Sequence, residues 1–270
     1  MTIRALLAVI LLALVAGIYL FVNAPQALPD GVVSGGKKFS AQEVLEICAA
    51  ENAVIRELYT KNIVESGLKA GLKFDEKWRE TNVDAGPLPA LFLRETAKNL
   101  AKGPTRLGLF LGSDSPINKA NQFSGLQADA FLQMRRDRSP RHFFMDDVKA
   151  NAAMFPDVAV TKGCVDCHNR HVDSPKRDWK VGDVMGATTW TLASSTLSVS
   201  EAIDTIAALR RSFRDAYVAY IEKAKTFSAP PEIGKKWPSE GHCLPDPDSF
   251  MEEAERRASR MTLDRLLSHR

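Results

Sequence analysis

The stretch GCVDCHNRHVDSPKRDWKVGDVMG, residues 163–186, holds two of the four cysteines of a 270-residue chain. Two residues separate Cys164 from Cys167, His168 follows immediately, and His171 comes three positions later. Ser174-Pro175 and Gly182 punctuate the remainder, so the sulfurs and imidazoles sit at the start of a loop-rich segment. A thiol pair at this spacing can serve redox exchange, a disulfide, a metal or a covalent attachment, and the compartment decides among these chemistries.

The N-terminus supplies the compartment. Ala5 to Val22 is an unbroken apolar run preceded by Arg4. As a helix it would be roughly 27 Å long, close to the hydrocarbon thickness of a bilayer. A cleaved signal peptide has a shorter apolar region, although Val22-Asn23-Ala24 resembles a small-residue cleavage site. The expectation is an uncleaved anchor over 1–24, with a cleaved signal peptide as its alternative. No Lys or Arg follows Arg4 until Lys37, so the positive-inside bias leaves the terminus in the cytoplasm. Either reading exports everything that follows, and the anchor reading makes this a single-pass inner-membrane protein with its folded part in the periplasm.

Composition is that of an ordinary globular protein, with 45% hydrophobic and 26% charged residues. A net charge of +3 without a dense Lys/Arg block gives no argument for nucleic acid. Residues 25–39 are rich in Gly and Pro and read as a linker. Ser40, with Glu43 three residues on, predicts the start of a long helix that carries Val44, Ile47, Cys48, Ile55 and Leu58 on or near one face. Cys48 therefore falls on a buried side. Strands are predicted at Arg106 to Leu111, Arg141 to Met145, Ala152 to Val160 and Ala187 to Ser195, with helices at Asn121 to Arg136 and Ser200 to about Thr226. The fold class is α+β, with an antiparallel sheet, a long N-terminal helix and flanking helices. Gly-rich phosphate loops and Gly-x-Ser-x-Gly elbows are absent.

In an exported chain, Cys164-x-x-Cys167-His168 is the attachment signature of one covalent haem c. The two thiols add to the vinyl groups and His168 becomes the proximal axial iron ligand. Three other readings compete. A dithiol redox pair and a simple disulfide leave His168 unexplained, and zinc lacks the second Cys-x-x-Cys of a closed site.

This segment resembles the single-haem, PAS-like c-type haem family, found as standalone exported proteins and as sensor parts of bacterial signalling proteins. The resemblance is carried by Asn169, His171, Ser174, Pro175, Asp178, Trp179, Lys180, Gly182, Asp183, Val184 and Gly186, and less strictly by residues 88–95 and 113–122. It implies a PAS-like c-type haem domain over 40–197, with haem between the sheet and the long N-terminal helix. It also implies a helix-borne cysteine as the distal axial iron ligand, and the matching position is Cys48. A small core residue or a disulfide to Cys243 are the other roles open to Cys48. Met154, Met145 and His142 are alternative distal ligands. His171 is too close along the chain to His168 to reach the opposite face of the same iron, so its expected role is a hydrogen bond to the loop or a propionate. Lys176, Arg177, Lys180 and Arg141 are candidate propionate partners.

Beyond the resemblance lie an amphipathic helix, 198–227, too polar to span a bilayer, and a segment, 228–270, that is Pro-rich and ends in a charged helix. Phe250, Met251, Ala254, Ala258, Met261 and Leu266 give that last helix an apolar side for docking. No output domain is present and no acid, base and nucleophile set is recognisable. The expected function is redox-responsive or diatomic-gas sensing through a separate signalling or membrane-complex partner. The alternative is an electron-transfer cytochrome or haem subunit with a redox partner.

Overall fold

The computed structural model describes residues 36–267 and, apart from these, Leu14. The expected anchor, Ala5 to Val22, lies outside the described residues save for Leu14. Among the described residues no helix is long and apolar enough to cross a membrane. From Lys38 onward the chain clusters as one unit.

Strand β1 (Lys38–Ser40) leads into helix α1 (Ala41–Leu58). Ser40 caps the helix as its sequence predicts. Its hydroxyl accepts from the Glu43 amide at 3.3 Å, and the Glu43 carboxylate accepts from the Ser40 amide at 2.6 Å. The helix continues through a π-helical stretch, Tyr59–Glu65, into α2 (Ser66–Lys69). After the short parallel pair β2 (Phe74–Asp75) and β3 (Gly86–Pro87) comes α3 (Pro89–Lys102). Pro89 occupies the first turn of α3, where a missing N–H costs nothing and a fixed φ suits the helix.

The central sheet contains β4 (Leu107–Gly112), β5 (Arg141–Met145), β6 (Ala150–Val158) and β7 (Val184–Leu192) in the order β4-β7-β6-β5, antiparallel throughout. The expected strand Arg141 to Met145 is found as predicted. The expected Ala152 to Val160 and Ala187 to Ser195 both lie two or three residues further toward the N-terminus. The turn at Gly182 explains the second shift: the Lys180 amide donates to the Asp183 carboxylate at 2.9 Å, which closes the turn and starts β7 early. Period-two alternation gives the sheet two different faces. Ala153, Trp190 and Leu192 join the large core beneath α1, whereas Met154, Val184 and Ala187 pack with Phe123, Phe131 and Met134 on the other side.

Helix α4 (Gly125–Asp137) covers that second face and starts later than the predicted Asn121. Lys119–Asn121 form a 3₁₀ turn instead, and the chain beyond it is tied to Ser113 by the Ser113 amide to the Asn121 carbonyl and the Phe123 amide to the Ser113 carbonyl. A short helix, α5 (Lys162–Arg170), follows β6. Strand β8 (Thr196–Ser198) pairs with β1, and α6 (Val199–Ala224) repeats the Ser-x-x-Glu capping box at Ser198 and Glu201. The parallel pair β9 (Glu232–Gly234) and β10 (Cys243–Pro245) precedes α7 (Pro247–Leu267).

Of the expected apolar side of α7, Phe250, Met251 and Ala254 are buried in the same core and Leu266 packs at its edge, whereas Met261 is only half-buried. Phe250 stacks on Tyr217 of α6 at 4.2 Å between ring centroids and meets Tyr59 and Phe92 edge-on. Tyr59 in turn stacks on Phe92 of α3 at 4.0 Å. Four helical elements thus share one aromatic cluster. The geometry is offset-stacked and edge-to-face, as ring quadrupoles prefer.

Candidate functional site

Helix α5 carries Cys164, Cys167 and His168. Residues three and four apart lie on one helical face, so the two thiols and the imidazole project to the same side. The helix is anchored from beneath by Val165, which packs with Ala159 and Trp179, with Cys164 and Met185 at the margin. Cys167 is exposed and Cys164 half-buried. Thr161 lies 3.4 Å from the Cys164 sulfur.

The loop after α5 is built by the residues that carry the family resemblance. Asn169 clamps the Trp179 backbone from both directions: its Nδ2 donates to the Trp179 carbonyl at 3.0 Å and its Oδ1 accepts from the Trp179 amide at 2.9 Å. Trp179 is thereby buried behind α5. His171 fixes the loop as expected, since its Nδ1 accepts from the Asp173 amide at 3.1 Å while its Nε2 lies 3.3 Å from Glu76. Gly182 sits at φ +92°, a region open to glycine and strained for other residues. Gly186 has the Gly112 carbonyl so close that an added Cβ would lie 2.5 Å from its oxygen. The two glycines of Gly-Asp-Val-x-Gly thus serve a turn and a close strand approach.

Electrostatics favour a ligand-competent imidazole. Burial holds His168 below the ordinary histidine value; Asp157 opposes this, His171 adds to it, and Glu76 opposes it again. The ring is therefore neutral at pH 7, with a lone pair free for a metal. Burial also raises the Cys167 thiol, aided by Glu76 and by Cys164.

Cys48 occupies the buried side of α1, as its spacing predicts, and is 0% exposed. Burial pushes its thiol far above the usual cysteine range, and the Glu51 carboxylate adds to the effect. On the same helical stripe, one and two turns later, come Asn52 and Arg56. Arg56 forms a bidentate pair with Asp157 of β6 at 2.9 and 3.2 Å, and Asp157 is the carboxylate that acts on His168. The ion pair thus ties α1 to β6, and its carboxylate lies near enough to His168 to act on it electrostatically, as Glu76 does. Asn52 Oδ1, Arg56 Nε and Trp179 Nε1 are buried and have no hydrogen-bond partner among the described residues. Buried polar atoms without partners are uncommon in native folds and point to a bound group that satisfies them. Nothing in the spacing of Asn52 and Arg56 alone would have marked them, beyond two polar residues on an otherwise apolar face.

The other candidates separate clearly. Cys48 and Cys243 are both free thiols, and the Cys243 sulfur donates to the Trp237 carbonyl at 2.9 Å. The disulfide alternative for Cys48 is therefore not formed. Met154 and Met145 lie on strand positions whose side chains face α4, on the far side of the sheet from α1. His142 faces α1 but is engaged with Glu46 at 3.4 Å. Among the described residues no group of three His, Cys, Asp or Glu side chains could hold a bare metal ion, which disfavours zinc. Of the candidate propionate partners, Arg141 is committed to Asp137 and Lys176 to Asp178, and Arg177 donates to the Val172 carbonyl at 2.9 Å.

A family model described as Tll0287-like matches residues 38–193, more than half of the chain. The chain belongs to the Tll0287-like family. That family is cytochrome-like, which makes this a haem-binding type of domain. No curated protein and no solved structure matches the chain. The Tll0287-like region spans β1 to β7 and so contains α1, the sheet and α5, every element that carries a candidate ligand. The residues of this Tll0287-like domain fit a haem: two thiols and an imidazole share the face of one helix, a further thiol is buried on another, and buried polar atoms of Asn52, Arg56 and Trp179 lack partners among the described residues.

Proposed function

We propose that the protein carries one covalent haem c, bound through Cys164 and Cys167, with His168 as proximal and Cys48 as distal iron ligand. In this reading the fold is PAS-like, with the haem between α1 and the sheet. The observation that carries it is the placement of both thiols and the imidazole on one face of α5, with a further thiol fully buried on α1. Bound there, the haem would supply one-electron chemistry and an iron site for a diatomic gas once a ligand leaves.

The function proposed is redox-responsive or gas sensing through a separate partner, by a protein held in the inner membrane at Ala5 to Val22 with its haem domain in the periplasm. Cys48 is the residue that supports sensing over simple electron transfer. A thiol in a fully buried site resists ionisation, because the anion lacks solvation there. Cys48 would therefore hold the iron as a thiolate only with the support of the metal's charge, and a lower charge would weaken that hold.

The test is an absorption spectrum in both oxidation states followed by CO or NO. The expected result is a six-coordinate ferric form that takes up no CO and a ferrous form that binds CO or NO with a clear spectral shift. A ferrous form that keeps both ligands and ignores both gases would instead indicate an electron carrier.

A further inference from the structure

The stretch of α1 around Cys48 is also contacted by α6 and α7. Thr262 of α7 donates its hydroxyl to the Glu51 carboxylate, which also takes Arg210 of α6 at 2.6 and 3.0 Å. Three residues further along α7, Arg265 Nη1 donates to the backbone carbonyl of Glu46 at 2.9 Å. Glu46 and Glu51 stand two residues before and three residues after Cys48. Glu51 is 0% exposed and Thr262 5%. A carboxylate this deeply buried is tolerated only with its charge matched and its lone pairs filled, so the contact specifies one register of α7 against α1. Both α6 and α7 lie beyond residues 38–193, the part of the chain that the family model matches.

We propose that α7 belongs to the haem site, with Thr262 and Arg265 as positioning residues that fix the rotation and height of α1 and so the seat of Cys48. This rests on the reading of Cys48 as iron ligand. On the sheet side α1 is held by Arg56 on Asp157 and by Glu46 on His142. Contacts on both sides of Cys48 from a second helix add a separate constraint on its rotation and height. Metal–ligand bonds tolerate only tenths of an ångström, and outer contacts that orient a ligand change its bonding measurably. Through this contact, a displacement of α7 would reach the iron ligand directly.

The test uses the full-length holoprotein with Thr262→Val, Arg265→Ala and both together. The double variant is expected to shift its ferric spectrum and midpoint potential toward those of Cys48→Ala, and to exchange the amides of residues 44–52 at least tenfold faster. Thr262→Ser should restore the wild-type values. Arg256→Ala, on the outer face and paired only within α7 to Glu253, should change nothing. A double variant with wild-type spectrum and potential overturns the proposal. Where that variant does not fold, Arg265→Ala alone serves, since its contact is solvent-exposed, and an unchanged spectrum overturns the proposal equally. If Cys48→Ala itself leaves the spectrum unchanged, the ligation reading is what fails. Hydrogen exchange then decides whether α7 holds this part of α1, and unaltered exchange overturns that claim too.

Discussion

Replacing Cys164 and Cys167 together by alanine will abolish haem attachment, leaving a protein band without peroxidase activity after denaturing electrophoresis. The loss should be complete, because no other thiol can substitute. Cys48 is fully buried on α1, and Cys243 is buried with its sulfur engaged by the Trp237 carbonyl. Either single replacement leaves one thioether, so attachment should weaken without vanishing. The fold should survive, since Cys167 is exposed, Cys164 half-buried, and the packing of α5 rests on Val165 against Trp179 and Ala159. A double variant that kept its colour on the denatured band would show the haem to be held elsewhere.

Cys48→Ala will leave the haem attached, change the ferric spectrum and raise the midpoint potential. Thiolate donation stabilises the ferric state, so its removal favours reduction; the sign is upward. Axial ligands as a class span roughly 0.8 V, and loss of a thiolate should move the potential by on the order of 100 mV. Burial and Glu51 hold the free thiol far above the usual range, so sulfur enters as a thiolate only through coordination. Cys243→Ala serves as control and should change neither spectrum nor potential, since its sulfur bonds only to the Trp237 and Gly241 carbonyls. Identical spectra for wild type and Cys48→Ala would remove Cys48 from the iron.

Much of this was legible in the residues themselves. The Ser40 and Glu43 capping box, the buried face of α1 with Cys48, and strand β5 all follow local rules of spacing and capping, and local rules are what a sequence displays. What was hidden depends on partners distant in the chain. Glu51 reads as one more charge on a helix until Arg210 and Thr262, more than 150 residues away, close around it. Arg56 needs Asp157 in the same way. Pro89 is ambiguous in sequence, because a residue type that ends a helix also begins one. The docking of α7 was foreseen from its apolar side, but not its register against Cys48, which two polar contacts decide.

The most direct measurement is mass spectrometry of a tryptic digest of the denatured holoprotein. Cleavage after Lys162 and Arg170 releases residues 163–170, GCVDCHNR, which contain both candidate attachment cysteines and the proximal histidine. The expected result is that this peptide alone carries the mass of one haem, with neither cysteine available to alkylation. Recovery of the same peptide without haem, with two alkylatable thiols or a disulfide, would contradict covalent attachment and with it the proposed site.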